Sequence, residues 1–252
     1  MDEIRSSLSS NCTTTTDHVF TFQELRAAVK KLKPYKKEGS GDISTNNFIH
    51  AGDDCLQYLA LLFSAMLVHG SFPSGFTHST IVPIPKGHGA DASNSSNYRG
   101  IALSSILGKI FDNVILSRYH KELASSDLQF GFKPKSSTNC CTYVLKEVLN
   151  YYTFNDSPIF SVFLDISKAF DKVRYCKLFR LLLRRKLPSV ILRALLLLYM
   201  NNFFRVSWFG VLSNYFLAIN GVKQGAVLSP ILFVFILTCY CLYCTDLITV
   251  VT

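Results

Sequence analysis

The sequence predicts an α+β domain, on three observations. Apolar residues recur at helical spacing in several segments, strand-like apolar or alternating runs lie between those segments, and 49% of the 252 residues are hydrophobic against 17% charged. That balance excludes a disordered, collagen-like or coiled-coil chain, and the length supports a sizeable core.

Residues 1–16 are rich in Ser, Thr and Asn and read as a flexible leader, so the domain is expected over 17–252, with no internal repeat and no clear linker. Phe22, Leu25, Ala28, Val29 and Leu32 have helical spacing; Thr21 with Glu24 forms a capping-box pattern, and Pro34 lies beyond the end. A polar loop follows over 36–42, then an apolar helix over about 55–68, closed by Gly70 and Pro73. Residues 79–86 read as a short strand, and about 104–123 as another helix.

Residues 159–165 are apolar on both faces and bounded by Pro158, which predicts a buried strand with Asp165 at its end, where the carboxylate reaches solvent or a metal. Amphipathic helices are expected over about 173–186 and 189–200, separated by Pro188, and a hairpin over 204–219 with its turn at 212–214. After a loop at 221–225, Ser229 and Pro230 open a last helix. Its uncharged stretch is interrupted by Pro230 and is too short for a membrane span of about 20 residues, so a buried core helix is expected.

The charge is local. Residues 168–205 hold ten of the 26 basic residues and one of the 17 acids, which accounts for the whole net charge of +9. A positive field confined in this way suits a surface that meets a polyanion, and nucleic acid is the expected partner. The eight cysteines show no framework spacing and follow no apolar signal segment, so they read as reduced thiols. Cys239, Cys241 and Cys244 lack a fourth ligand for a metal and read as buried apolar residues.

Three segments carry candidate chemistry. In 163–173, Asp165 ends the expected strand and Phe170 follows five residues later; such an acid can hold a divalent cation, and the plainer reading makes Asp165 a turn residue and Asp171 a helix-start carboxylate. In 220–230, glycines allow close backbone approach to a ligand while Lys223 and Gln224 supply a cation and an amide; the plainer reading is a hairpin exit. The third runs from 81–86 to 97–103, where Lys86 and Arg99 are placed to grip phosphate across a loop.

Together and in this order, with Gln129-Phe130-Gly131-Phe132-Lys133 between them, these segments resemble the reverse transcriptase domain of non-LTR (LINE-like) retrotransposons over about residues 20–238. The resemblance implies an incomplete right-hand polymerase fold, fingers over about 20–150 interleaved with part of the palm over about 151–252 and no thumb, and RNA-directed DNA polymerisation by two-metal nucleotidyl transfer. It implies Asp165 as a catalytic, metal-binding residue and Ile166 as a neighbour whose carbonyl faces the Mg²⁺. Lys86 and Arg99 match the triphosphate clamp, Phe170 the aromatic that blocks a ribose 2′-hydroxyl, and Gln224 the nucleotide pocket. Lys223, Arg184, Arg185 and Lys186 are the expected nucleic-acid contacts. The implied partners are an RNA template, a DNA primer and deoxynucleoside triphosphates, with no membrane, in the cytoplasm or nucleus.

This chain departs from the family at Gly100, and its sole acid after Pro230 is Asp246, where the family has a Tyr/Phe-Ala-Asp-Asp hairpin. The polypeptide as written is therefore expected to be truncated and inactive alone. The alternative is a non-catalytic nucleic-acid-binding module derived from a retroelement. A membrane-anchored protein is the weakest alternative.

Overall fold

The computed structural model describes residues 19–37, 43–87, 89, 91–127, 129–163 and 165–245, without the side chains from 239 onward. The leader, most of the 36–42 loop, the side chains of Cys239, Cys241 and Cys244, and Asp246 lie outside the described residues.

The expected capping box opens α1 (Phe22–Val29): Thr21 N–H donates to Glu24 Oε2 at 2.9 Å, and Glu24 N–H donates back to Thr21 Oγ1 at 3.3 Å. A short α2 (Thr45–Ile49) precedes α3 (Asp53–His69), which carries Asp53 and Asp54 in its first turn and His69 in its last, as the helix dipole favours. Gly70 ends α3 in the left-handed conformation, its N–H donating to Met66 O at 2.9 Å. One turn, α4 (Ser74–Thr77), leads into β1 (His78–Pro85), and a 3₁₀ turn at Ser95–Asn97 into β2 (Tyr98–Leu103). Ser105 then caps α5 (Ile106–Arg118) by accepting from Gly108 N–H at 2.9 Å.

Later come α6 (Thr138–Phe154), α7 (Tyr175–Leu183), α8 (Ser189–Met200), β3 (Phe203–Trp208), β4 (Val211–Leu212), β5 (Phe216–Leu217) and α9 (Ser229–Thr245). The mixed α+β class is as predicted. Strand order is β2-β1-β3-β4, with β5 also on β3. β1 is antiparallel to β2, setting Ile84 opposite Arg99, and parallel to β3, setting Thr80 opposite Arg205. Pairing with β3 stops at Ile81, so Pro83 and Pro85 sit where β1 is an edge and no ladder donor is required of them.

The main core cluster is built by the helices: α1 packs on α3 and α5, α3 on α8, and α7 on α8 and α9. Phe20, Phe63, Phe76 and Phe111 meet edge to face at its centre, Phe63 and Phe111 with ring centroids 5.3 Å apart. Leu232, Phe233, Val234, Phe235 and Ile236 bury the start of α9, and among the described residues no helix is long and apolar enough to cross a membrane.

Two sequence expectations are corrected, and one helix had no counterpart among them. Residues 159–163 form no strand, and Phe160, Val162 and Phe163 are 93%, 82% and 79% exposed. An apolar run becomes a buried strand only where another strand satisfies its backbone, and no described strand pairs with it. The hairpin turn lies at Phe209-Gly210, both at positive φ, rather than at 212–214; Ser213 Oγ instead accepts from Val206 N–H at 2.9 Å. Helix α6 was not anticipated: Ser137 caps it, but none of its residues is buried, so no apolar stripe facing the core announced it.

Candidate nucleotide and nucleic-acid site

The fold joins all three segments that carry candidate chemistry. Gly221 N–H donates to Val173 O at 2.8 Å and Val222 N–H to Phe170 O at 2.9 Å, tying the loop after β5 to the turn after Asp165. Two residues on, Ala102 N–H of β2 donates to Gln224 O at 2.8 Å. Gly225 sits at φ +117°, and a Cβ there would lie 2.9 Å from Ala102 O, so this close approach requires glycine. Gln224 is thereby held against the strand that carries Arg99.

Arg99 is exposed on β2, and Lys86 follows β1 with its N–H on Asn97 O at 2.8 Å. In the antiparallel register Lys86 and Arg99 are diagonal neighbours on one face of the sheet. The Lys86 ammonium donates to Ser96 O at 2.7 Å. Beside them Tyr98 meets Trp208 edge to face at 5.1 Å.

Phe170 is half-buried, stacked on Phe233 of α9 at 4.9 Å and edge-on to Phe132 at 6.1 Å. Its ring is thus part of the wall between the 165–171 turn and α9. Asp165 is exposed, and Ile166 lines a cavity of about 300 Å³ with Lys172, Arg174, Lys177 and Phe233. A pair of divalent ions needs carboxylates from more than one strand. Among the described residues no group of three His, Cys, Asp or Glu gathers, so Asp165 and the Ile166 carbonyl do not by themselves fit a two-metal site.

The basic segment divides. Helix α7 buries Tyr175, Leu178, Phe179 and Leu182, so Lys177, Arg180 and the following Arg184 fall on the opposite face, with Lys186 exposed just beyond. Arg185 turns toward the fold, donating to Ala124 O at 2.9 Å with its guanidinium 4.6 Å from the Phe235 ring. Arg193 likewise serves the fold, donating to Leu67 O and Val68 O at the end of α3.

Lys223, expected as a nucleic-acid contact, lies on the Gln224 loop and is half-buried. Its ammonium points inward, 3.4 Å from Phe76 O, and burial pulls its pKa down to about 8 against the opposing pull of the Asp112 charge. Asp112, on α5, accepts from Leu228 N–H at 3.3 Å; burial pushes its carboxyl up to about 6 despite the Leu228, Lys223 and Val227 interactions. No sequence signal marked Asp112, the one acid in α5.

Residues 84–240 match the family described as reverse transcriptase (RNA-dependent DNA polymerase), and the chain belongs to it. It is 31% identical over 84% of its length to an RNA-directed DNA polymerase from mobile element jockey of Drosophila melanogaster. It is 24% identical over 81% of its length to a retrovirus-related Pol polyprotein from type-1 retrotransposable element R2 of Nasonia vitripennis, and 29% identical over 75% to a probable RNA-directed DNA polymerase from transposon X-element of Drosophila melanogaster. These relatives place the domain among the reverse transcriptases of non-LTR, LINE-like elements. The chain spans 24%, 20% and 20% of their respective lengths.

Proposed function

We propose that this chain is the fingers and part of the palm of a retroelement RNA-directed DNA polymerase, interleaved over about 20–150 and 151–252, and that by itself it binds an RNA–DNA duplex and a deoxynucleoside triphosphate. The observation that carries the reading is the junction of β2, the Phe170 turn and the Gln224 loop by three backbone hydrogen bonds. In this reading Arg99 and Lys86 are the triphosphate contacts, Gln224 lines the nucleotide pocket, and Phe170 is the sugar-facing ring, all carried on the segments that the junction joins. Arg184 and Lys186, together with Arg180, supply the phosphate-facing cations. Reverse transcriptases generally use Mg²⁺; here the described residues contribute Asp165 and Ile166 to such a site and leave further carboxylates to be supplied.

Titrating a labelled poly(rA)·oligo(dT) duplex by fluorescence anisotropy, with and without dTTP, tests the reading. Binding that weakens steeply with salt and strengthens with dTTP is expected, together with no primer extension by the 252-residue polypeptide alone in Mg²⁺ or Mn²⁺. Salt-independent binding, or indifference to dTTP, would refute it. Templated extension would overturn the expected inactivity of the polypeptide alone and show that the carboxylates present suffice. That outcome would also remove the other reading, a module that binds nucleic acid without catalysis, which the lack of a clustered ligand set among the described residues favours.

A further inference from the structure

The Gln224 loop is held from beneath by a residue that belongs to none of the three motif segments. Asp112 lies in α5, whose buried residues are Ile106, Ile110, Phe111, Val114 and Ile115 with one neutral polar residue, Asn113. An acid in that row carries a large desolvation cost unless its charge is used. Its Oδ2 accepts from Leu228 N–H, the last backbone donor before α9 begins at Ser229. At the loop's other end, Lys223 feels the Asp112 charge but gives its hydrogen bond to Phe76 O.

The two charged residues line one cavity of about 50 Å³, with Tyr199 of α8 and with Ser104, whose hydroxyl has no protein partner. That volume admits water, and these polar groups give water something to bridge. The groups facing Asp112 are therefore the Val227 and Leu228 backbone and the Lys223 ammonium from the loop, and Tyr199 from α8, whose phenol is pushed up by burial and by the Asp112 charge.

We propose that Asp112 is a positioning residue for the nucleotide site: by accepting the Leu228 N–H and facing Lys223 across the cavity, it holds both ends of the 223–228 loop and so fixes Gln224 against Ala102. The role rests on the nucleotide-site reading above. A pair needed only for packing would be replaceable by apolar residues without consequence for the loop, since buried ion pairs exchanged for well-packed apolar groups keep or raise stability. A positioning pair is not replaceable in that way.

The test compares Asp112→Asn with Asp112→Leu, both combined with Lys223→Met so that no uncompensated ammonium remains and any phosphate contact by Lys223 is absent from both. Asn retains a carbonyl acceptor for Leu228; Leu does not. Amide hydrogen exchange of 224–228 should be at least tenfold faster with Leu than with Asn while α8 exchanges alike in both, and the Kd for dTTP on the poly(rA)·oligo(dT) complex should rise about tenfold. Equal loop exchange in the two variants overturns the proposal, whatever the thermal midpoints do. If the Leu variant does not fold, Asp112→Ala on the same background makes the same comparison. If the unsubstituted chain binds neither dTTP nor the duplex, the nucleotide-site reading fails, and the exchange comparison still decides whether Asp112 holds the loop.

Discussion

Replacing Arg180, Arg184 and Lys186 with Gln removes three exposed cations clustered on the outer side of α7 and just beyond it, without touching the residues that helix buries. Each duplex phosphate contact contributes about 0.9 to the slope of log affinity against log salt, so three lost contacts should flatten that slope by up to about 2.7. Between 50 and 200 mM salt that difference amounts to roughly 40-fold in the ratio of affinities. Fluorescence anisotropy with an RNA–DNA duplex at four or five salt concentrations measures it directly. Arg185→Gln is the internal control, because this guanidinium is spent on Ala124 O and the Phe235 ring. It should lower stability by about 1 kcal/mol, the scale of one hydrogen bond with a cation–π contact, and change the slope by less than one. A slope unchanged by the triple substitution, or moved as much by Arg185→Gln, would refute α7 as the footprint and the division of the basic segment with it.

Gly225→Ala places a methyl 2.9 Å from Ala102 O at a backbone angle that L residues avoid, so it should lower the urea midpoint by the equivalent of about 2 kcal/mol or more and weaken dTTP binding. Phe170→Val removes a ring stacked on Phe233 and should cost about 1–3 kcal/mol in chemical denaturation; in a chain whose metal site has been completed it should also admit ribonucleotides, read by single-nucleotide incorporation. Burial pushes the Glu24 carboxyl up, but hydrogen bonds from Arg118 and Thr21 and the Arg118 charge together hold it below 4.5. Because the folded pKa is the lower one, this stabilisation is complete above 4.5 and is lost as pH falls through the folded value; Arg118→Met should therefore flatten the acid limb of a plot of thermal midpoint against pH. For Lys223 the sign is different: its folded pKa of about 8 lies below the ordinary 10.5, so folding gains stability as pH rises from about 8 to 10.5, and Lys223→Met should remove that alkaline gain.

The sequence by itself determined whatever depends on neighbours along the chain. Thr21 with Glu24, Ser105 before an apolar run, Gly70 at a helix end and Pro188 between two amphipathic stretches act within a turn or two, so the helices they bound were legible. The order of the three motif segments was equally legible, and with it the family. The tertiary structure decided what depends on partners far away in sequence. Residues 159–163 have the apolar content of a buried strand, but burial needs a ladder partner, and content cannot state whether one is present. Arg184 and Arg185 are adjacent and identical in type, yet one faces solvent and the other a carbonyl some 61 positions away, because helical geometry turns successive side chains to different faces. Lys223 and Asp112 show the same rule at the site: their charges are evident from the sequence, but only packing brings α5 beneath the Gln224 loop and sets the Asp112 carboxylate against Leu228 N–H.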